Sequence, residues 1–173
     1  MHFYFLRHGI AVDKDDPRVG SDAERFLTPK GVKRMRKAAK GIRRLKIPFD
    51  AVLCSPAARA RQTAEIVAAE LGLEERLQEI SGLSPESTVD VLLFGLTRFQ
   101  NCAHILLVGH EPLLTDTIAF MLTARKQESL NLVLKKGGLC QVEVDRLPPS
   151  EGGALRCWLT PKQLRALAGA GSA

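Results

Sequence analysis

Three short stretches of the chain are apolar at every position rather than at alternate ones: FYFL (3–6), AVLC (51–54) and ILLVG (105–109). Continuous apolarity over such short runs predicts strands covered on both faces, as in a parallel sheet. Helical patterns follow. Thr28-Pro29 forms an N-cap and first-turn pair, after which Val32, Met35, Ala39, Ile42 and Leu45 recur at intervals of three and four. Ser55-Pro56 repeats that start signal ahead of Ala60, Ala64, Val67 and Leu71. Pro112 opens a third helix with Leu114, Ile118 and Met121 on one face, and Ser84-Pro85-Glu86 starts a fourth that runs to about Gly95. Beyond residue 130 the pattern changes. GLCQVEV (138–144) and ALRCWL (154–159) predict two strands joined by a Pro/Gly loop, antiparallel at a sheet edge, and Thr160-Pro161 caps a short last helix. The expected fold is one three-layer α/β/α domain over residues 1–165, with a mostly parallel central sheet, an antiparallel edge strand and a frayed tail at 166–173.

Composition narrows the class. A formal charge of +6 over 173 residues points to anionic partners without choosing among them. Much of the excess lies between Lys30 and Lys46, where nine Lys or Arg residues occur without one acid. This run reads either as a solvated helix face or as a docking surface. One Trp and one Tyr leave few platforms for stacking bases, so no nucleic-acid partner is expected. Cys54, Cys102, Cys140 and Cys157 show no CxxC spacing and sit in or beside apolar runs, which suits reduced thiols in a cytoplasmic setting. MHFYFL is too short for a signal-peptide core, and no apolar run approaches the roughly 20 residues that span a bilayer. A cytoplasmic monomer with no membrane partner is the expectation.

The chemistry gathers at strand ends, where ligands bind in open α/β sheets. The first predicted strand ends in Arg7-His8, the second in Ser55 and the third in His110, and Arg59 lies in the first turn after Ser55. Two arginines, two histidines and at least two helix N-termini thus converge on one rim, which suits a phosphate group. Arg7 would hold a phosphoryl group while neutral His8 attacks it. Arg7, Arg59 and His110 around it would favour the neutral imidazole and offset charge on the equatorial oxygens. Taken singly, each residue reads more readily as a turn or surface residue; it is their convergence on one rim that favours the chemistry. His2 and His104 fall at the opposite edge, about 20 Å from His8 and His110 along each strand, so neither pair shares a metal. No metal or cofactor is expected.

LRHGIA, LTPKG, SPAARARQTAE and LVGHEP, in that order, resemble the histidine phosphatase superfamily, whose hallmark is Arg-His-Gly. The short length, without large insertions, is most similar to the small SixA-type phosphohistidine phosphatases. The resemblance implies a minimal phosphoglycerate-mutase-like fold and a metal-independent phosphatase, with His8 as nucleophile. It makes Arg7, Arg59 and His110 the phosphoryl-binding groups. Thr28 and Gly31 match a family signature that reads as helix capping. Two features depart from the pattern: Ile10 stands where many members carry a polar or acidic residue, and no insertion supplies the proton donor of mutase-like members. Glu79 falls in the stretch where those members place an acid, and is the candidate general acid; otherwise it is an exposed loop carboxylate. A site without a committed acid suits a phosphohistidine, whose P–N bond is labile and whose imidazole leaves easily. The expected partner is therefore a phosphohistidine-bearing protein of the histidine-phosphotransfer type. The rivals are a small-molecule phosphomonoesterase of the mutase-like branch and a basic, non-catalytic binding module.

Overall fold

The computed structural model describes residues 1–125 and 130–169. Six strands form one sheet: β1 (His2–Arg7), β2 (Ala51–Cys54), β3 (Leu77–Glu79), β4 (His104–Gly109), β5 (Leu139–Glu143) and β6 (Ala154–Leu159). They lie in the order β3-β2-β4-β1-β5-β6, the first four parallel and the last two antiparallel. The three apolar runs are the central strands, as expected. β3 was not anticipated: it is only three residues long, LQE, with no apolar run to announce it. Glu79, expected in a loop, thus ends an edge strand, because Leu77 to Glu79 pair in register with Val52 to Cys54.

Five helices cover both faces: α1 (Pro29–Arg44), α2 (Ala58–Leu71), α3 (Val89–Leu96), α4 (Leu113–Thr123) and α5 (Pro161–Leu167). Successive side chains of a strand point to opposite faces, and β1 shows the result. Phe3 and Phe5 pack with Leu92 and Leu96 of α3 and Leu114 and Ile118 of α4. Tyr4 and Leu6 pack with Met35, Ala39 and Ile42 of α1, Ala64 of α2 and Leu164 of α5. The three-layer α/β/α architecture follows directly.

Local start signals work where a side chain closes the cap. Thr28 Oγ1 accepts from Gly31 N at 2.9 Å with Pro29 at the first position of α1. Thr160 and Gln163 form a reciprocal capping box at α5. The fourth expected helix begins later than Ser84-Pro85-Glu86 suggests, at Val89, because Thr88 supplies the cap and residues 81–83 form a 3₁₀ turn. In the expected tail, α5 continues through Leu167, while residues 170–173 lie outside the described residues.

Two glycines let α1 approach its neighbours. A Cβ on Gly31 would lie 2.1 Å from the Ile10 carbonyl oxygen, and one on Gly41 would lie 1.9 Å from that of Leu164. Backbone cannot yield as a side-chain tip can. Gly41→Ala should therefore cost roughly 1–3 kcal/mol in denaturant melts. Gly95→Ala, also helical but with nothing within 4 Å of the added methyl, should gain about 0.5–1 kcal/mol. Equal effects at both positions would contradict this packing.

Candidate active site

Parallel pairing aligns the carboxyl ends of the central strands. Arg7 pairs with Gly109 and Cys54 with Val108, so Arg7-His8, His110 and Ser55 meet at one edge. Backbone bonds extend the ladder past the strands, from His8 N to Gly109 O at 3.0 Å and from Ser55 N to Val108 O at 3.0 Å. The turn after His8 is anchored to α2: Gly9 N donates to Thr63 Oγ1 at 3.0 Å, and Thr63 Oγ1 donates to the Arg59 carbonyl at 2.7 Å.

His8 is 6% exposed and His110 2%, with ring centroids 5.0 Å apart. Burial, then the neighbouring His110 ring, pushes the His8 imidazole down to about 3. The Arg59 and Arg7 charges act in the same direction but rank behind burial. For His110, burial and then Arg59 push the value down to about 4. Both rings are neutral at pH 7. His8 Nδ1 lies 2.7 Å from the Gly9 carbonyl, which can only accept. Nδ1 therefore carries the proton, and Nε2 presents its lone pair.

His110 Nε2 lies 2.9 Å from Ser55 Oγ, which itself accepts from Ala57 N at 3.2 Å. Where the Ser55 hydroxyl donates to Nε2, the His110 proton is left on Nδ1. That Nδ1 is buried without a protein partner, as is Arg7 Nε. Arg7 Nη1 donates to the Leu134 carbonyl at 2.9 Å, so its guanidinium is held from behind. Two unpartnered buried donors beside a free imidazole lone pair suit a group rich in acceptor oxygens.

Arg59, 5% exposed, sits in the first turn of α2 as expected, yet both of its Nη groups bind Asp22. Nη1 donates to the Asp22 carbonyl at 2.6 Å and Nη2 to Oδ2 at 2.8 Å. Arg25 holds Oδ1 at 2.8 Å. The bonds from Arg25, then from Arg59, keep the Asp22 carboxyl below its ordinary value against a smaller opposing effect of burial. Asp22 gave no sequence signal, being one of several acids in the excursion between β1 and α1.

Glu111 was likewise missed, although it directly follows His110. Thr115 Oγ1 donates to its Oε2, while Oε1 is buried without a partner. Burial raises its carboxyl; the Thr115 bond and the Arg7 charge oppose that. Glu79 is not brought to this cluster. It lies half-exposed, 3.5 Å from Arg61, on a strand three positions from β1, roughly 14 Å across the sheet. His2 and His104 stack at 4.7 Å at the far edge. Among the described residues no group of three or more His, Cys, Asp or Glu side chains could hold a metal ion.

A neutral imidazole with Nε2 free, buried among arginines, is an arrangement suited to binding and attacking a phosphoryl group. Residues 3–87 match the model of the histidine phosphatase superfamily, branch 1. The phosphohistidine phosphatase SixA of Escherichia coli is 31% identical over 122 residues, covering 69% of this chain and 73% of that protein. An uncharacterized protein of Picosynechococcus sp. is 41% identical over 145 residues, covering 80% and 82%. A protein histidine phosphatase SixA solved with tungstate superposes with a TM-score of 0.79 at 26% identity, covering 95% of this chain and 99% of that one. The alpha-ribazole phosphatase of Shigella flexneri shares the fold, with a TM-score of 0.72 at 17% identity over 93% and 97%. The chain belongs to the histidine phosphatase superfamily, and its activity is that of a phosphatase.

The lowered values set a sign for pH effects. The unfolded chain, with ordinary histidine values near 6.5, binds more protons than the native one between that value and about 4. Stability is therefore lost as pH falls through this window and recovered above it. Ring-nitrogen NMR should find His8 neutral at pH 5, with its proton on Nδ1. A protonated His8 ring at pH 5 would contradict the buried, neutral imidazole. Asp22 occupies the donors of Arg59 that phosphoryl oxygens would use, so Asp22→Asn should lower the inhibition constant of inorganic phosphate several-fold. An unchanged or raised constant would show that Asp22 orients the fork rather than occupies it.

Proposed function

We propose that the protein removes phosphate from phosphohistidine on a phosphotransfer or signalling protein. The observation that carries this reading is the proton inventory of the site. The nucleophile is ready without deprotonation, but the candidate general acid Glu79 is tied to Arg61 away from it. In the first step the His8 Nε2 lone pair forms a bond to phosphorus as the substrate's P–N bond breaks, its electron pair leaving with the substrate imidazole. Water then attacks phospho-His8, restores the imidazole and yields phosphate. Arg7, Arg59 and His110 stabilise the equatorial oxygens in both steps. Similarity to SixA proteins and the lack of large insertions among the described elements support a protein-borne substrate. Four free thiols, Cys54 and Cys140 among them buried, fit a reducing, cytoplasmic compartment. The protein is proposed to act as a metal-independent monomer, with no nucleic-acid or membrane partner; no helix described is long and apolar enough to cross a membrane.

Glu111 supports a second reading. A buried carboxyl with a raised value one residue after His110 could protonate an alkoxide, which a small-molecule phosphomonoesterase requires.

One assay separates the two. Phosphohistidine protein, phosphoramidate and an alkyl phosphate monoester, whose alkoxide needs a proton to leave, should be compared with the native enzyme and its variants, with and without EDTA. The P–N substrates should be cleaved far faster than the ester, and EDTA should change nothing. Rapid-quench mass spectrometry should find phosphate on His8, and His8→Ala should abolish turnover. Arg59→Lys keeps the charge but loses the fork, so kcat should fall by roughly 10². Glu79→Gln should cost little on any substrate. A preference for the ester, with a large loss in Glu111→Gln on the ester alone, would overturn the phosphohistidine reading in favour of the second.

A further inference from the structure

Beside the nucleophile lies a small cavity that the chemistry above does not use. It measures about 70 Å³ and is lined by Gly9, Ile10 and Gly31 together with Arg34, Lys136 and Arg165. That volume holds a few waters or one oxyanion head group. The three cations come from separate parts of the chain: Arg34 from α1, Lys136 from the turn before β5, and Arg165 from α5. No acidic side chain lines the cavity. Among the described residues none of the three has a side-chain hydrogen bond or ion pair, whereas Arg59 has Asp22, Arg43 has Glu70 and Arg61 has Glu79.

Arg34 and Lys136 are exposed and Arg165 is half-buried, so water and salt screen part of their mutual repulsion, and an anion held among them would relieve the rest. Its position matters as much as its charge. Gly9 and Ile10 follow His8 directly, and Gly137, next to Lys136, donates its N–H to the carbonyls of Arg7 and His8 at 2.9 and 3.2 Å. An anion held here sits one residue along the chain from the nucleophile, on the side that α1 and α5 cover. From there the exposed cations of α1 continue the same sign of charge along a broad groove lined by Lys33, Arg36, Lys37 and Lys40.

We infer that Arg34, Lys136 and Arg165 form a carboxylate subsite, which binds an acidic side chain of the phosphorylated protein substrate and so sets the orientation in which its phosphohistidine reaches His8. This rests on the phosphohistidine-protein reading above. A protein carboxylate fits better than a free anion because the subsite is lined by the two residues that follow His8, and the same helix that supplies Arg34 carries further exposed cations for an acidic protein surface to meet. Small substrates reach His8 without using it.

The test uses the full chain and two substrates: a histidine-phosphotransfer domain phosphorylated with phosphoramidate, and phosphoramidate itself. In Arg34→Glu/Lys136→Glu/Arg165→Glu, kcat/KM for the phosphorylated domain should fall roughly tenfold or more at low salt, and its salt dependence should flatten. The rate on phosphoramidate should stay near native, which also reports an intact fold. The neutral variant Arg34→Gln/Lys136→Gln/Arg165→Gln should show a smaller loss in the same direction. Equal loss on both substrates, or no loss on the domain, would overturn the subsite. So would an equal loss in Lys33→Glu/Arg36→Glu/Lys40→Glu, because net charge rather than this cavity would then be the cause. A native enzyme that cleaves phosphoramidate but not the domain would fail the substrate reading and the subsite together; a native enzyme that cleaves both, with the variants unaffected, fails the subsite alone.

Discussion

The hydrogen bond from His8 Nδ1 to the Gly9 carbonyl is the interaction on which the rest of the site depends. It decides which ring nitrogen holds the proton, and thereby which one keeps its lone pair for the attack on phosphorus proposed above. A carbonyl one residue away can make that bond only if the turn after β1 is held still. Gly9 N is tied to Thr63, the carbonyls of Arg7 and His8 to Gly137 N, and the Ile10 carbonyl to Thr28 N. Three elements distant in sequence therefore fix one short turn. Gly31 belongs to this clamp, since any larger residue there would push α1 off the Ile10 carbonyl. The threonine and glycine of LTPKG are thus more than a helix cap.

Charge balance is the second constraint. Burying Arg7 and Arg59 near two neutral imidazoles would be costly if both cations were alone. The structure sets a carboxylate against each: Asp22 in direct contact with Arg59, and Glu111 as the opposing charge to Arg7. On the proposed chemistry, a phosphoryl dianion would meet a rim whose cations are already partly compensated. It would draw on the two unpartnered buried nitrogens, Arg7 Nε and His110 Nδ1, and on movement of Asp22. Asp22 is half-exposed on a surface excursion and Glu111 is packed against Thr115, so the first can yield more readily than the second.

The legible parts of this protein are those where one physical rule acts alone. Unbroken apolar runs mark strands buried on both faces, and Thr-Pro pairs mark helix starts, so FYFL, AVLC, ILLVG, Thr28 and Thr160 fall where expected. His8, Arg7 and His110 follow because strand ends in a parallel sheet share an edge. β3 was hidden because an edge strand of three residues needs neither apolar run nor alternation; its register comes from β2. Asp22 was hidden because its partner, Arg59, is 37 residues away and the excursion before α1 that holds Asp22 carries no periodicity of its own. Thr63 looked like any helical threonine, since its use depends on the carbonyl of Arg59 one turn earlier and on Gly9. Glu111 alone carried a local hint, adjacent to His110, but its burial is a tertiary fact.

α1 joins these constraints in one element. Its buried face, Met35, Ala38, Ala39 and Ile42, packs on the sheet, while Gly31 and Gly41 admit the backbones of the His8 turn and of α5. Close approach on that side leaves the long cationic side chains of the helix on the other, because an amphipathic helix has only two faces to divide. Eight exposed cations would destabilise this helix through like-charge neighbours at spacings of three and four. The helix tolerates them because its stability comes from the buried face, and because Arg43 and Arg44 lie in its last turn, where the dipole favours positive charge. The same packing that fixes the nucleophile's turn therefore carries Arg34 to the cavity beside it. The docking of α1 thus contributes both to the hold on the His8 turn, through Thr28 and Gly31, and to the positive border of the site, through Arg34.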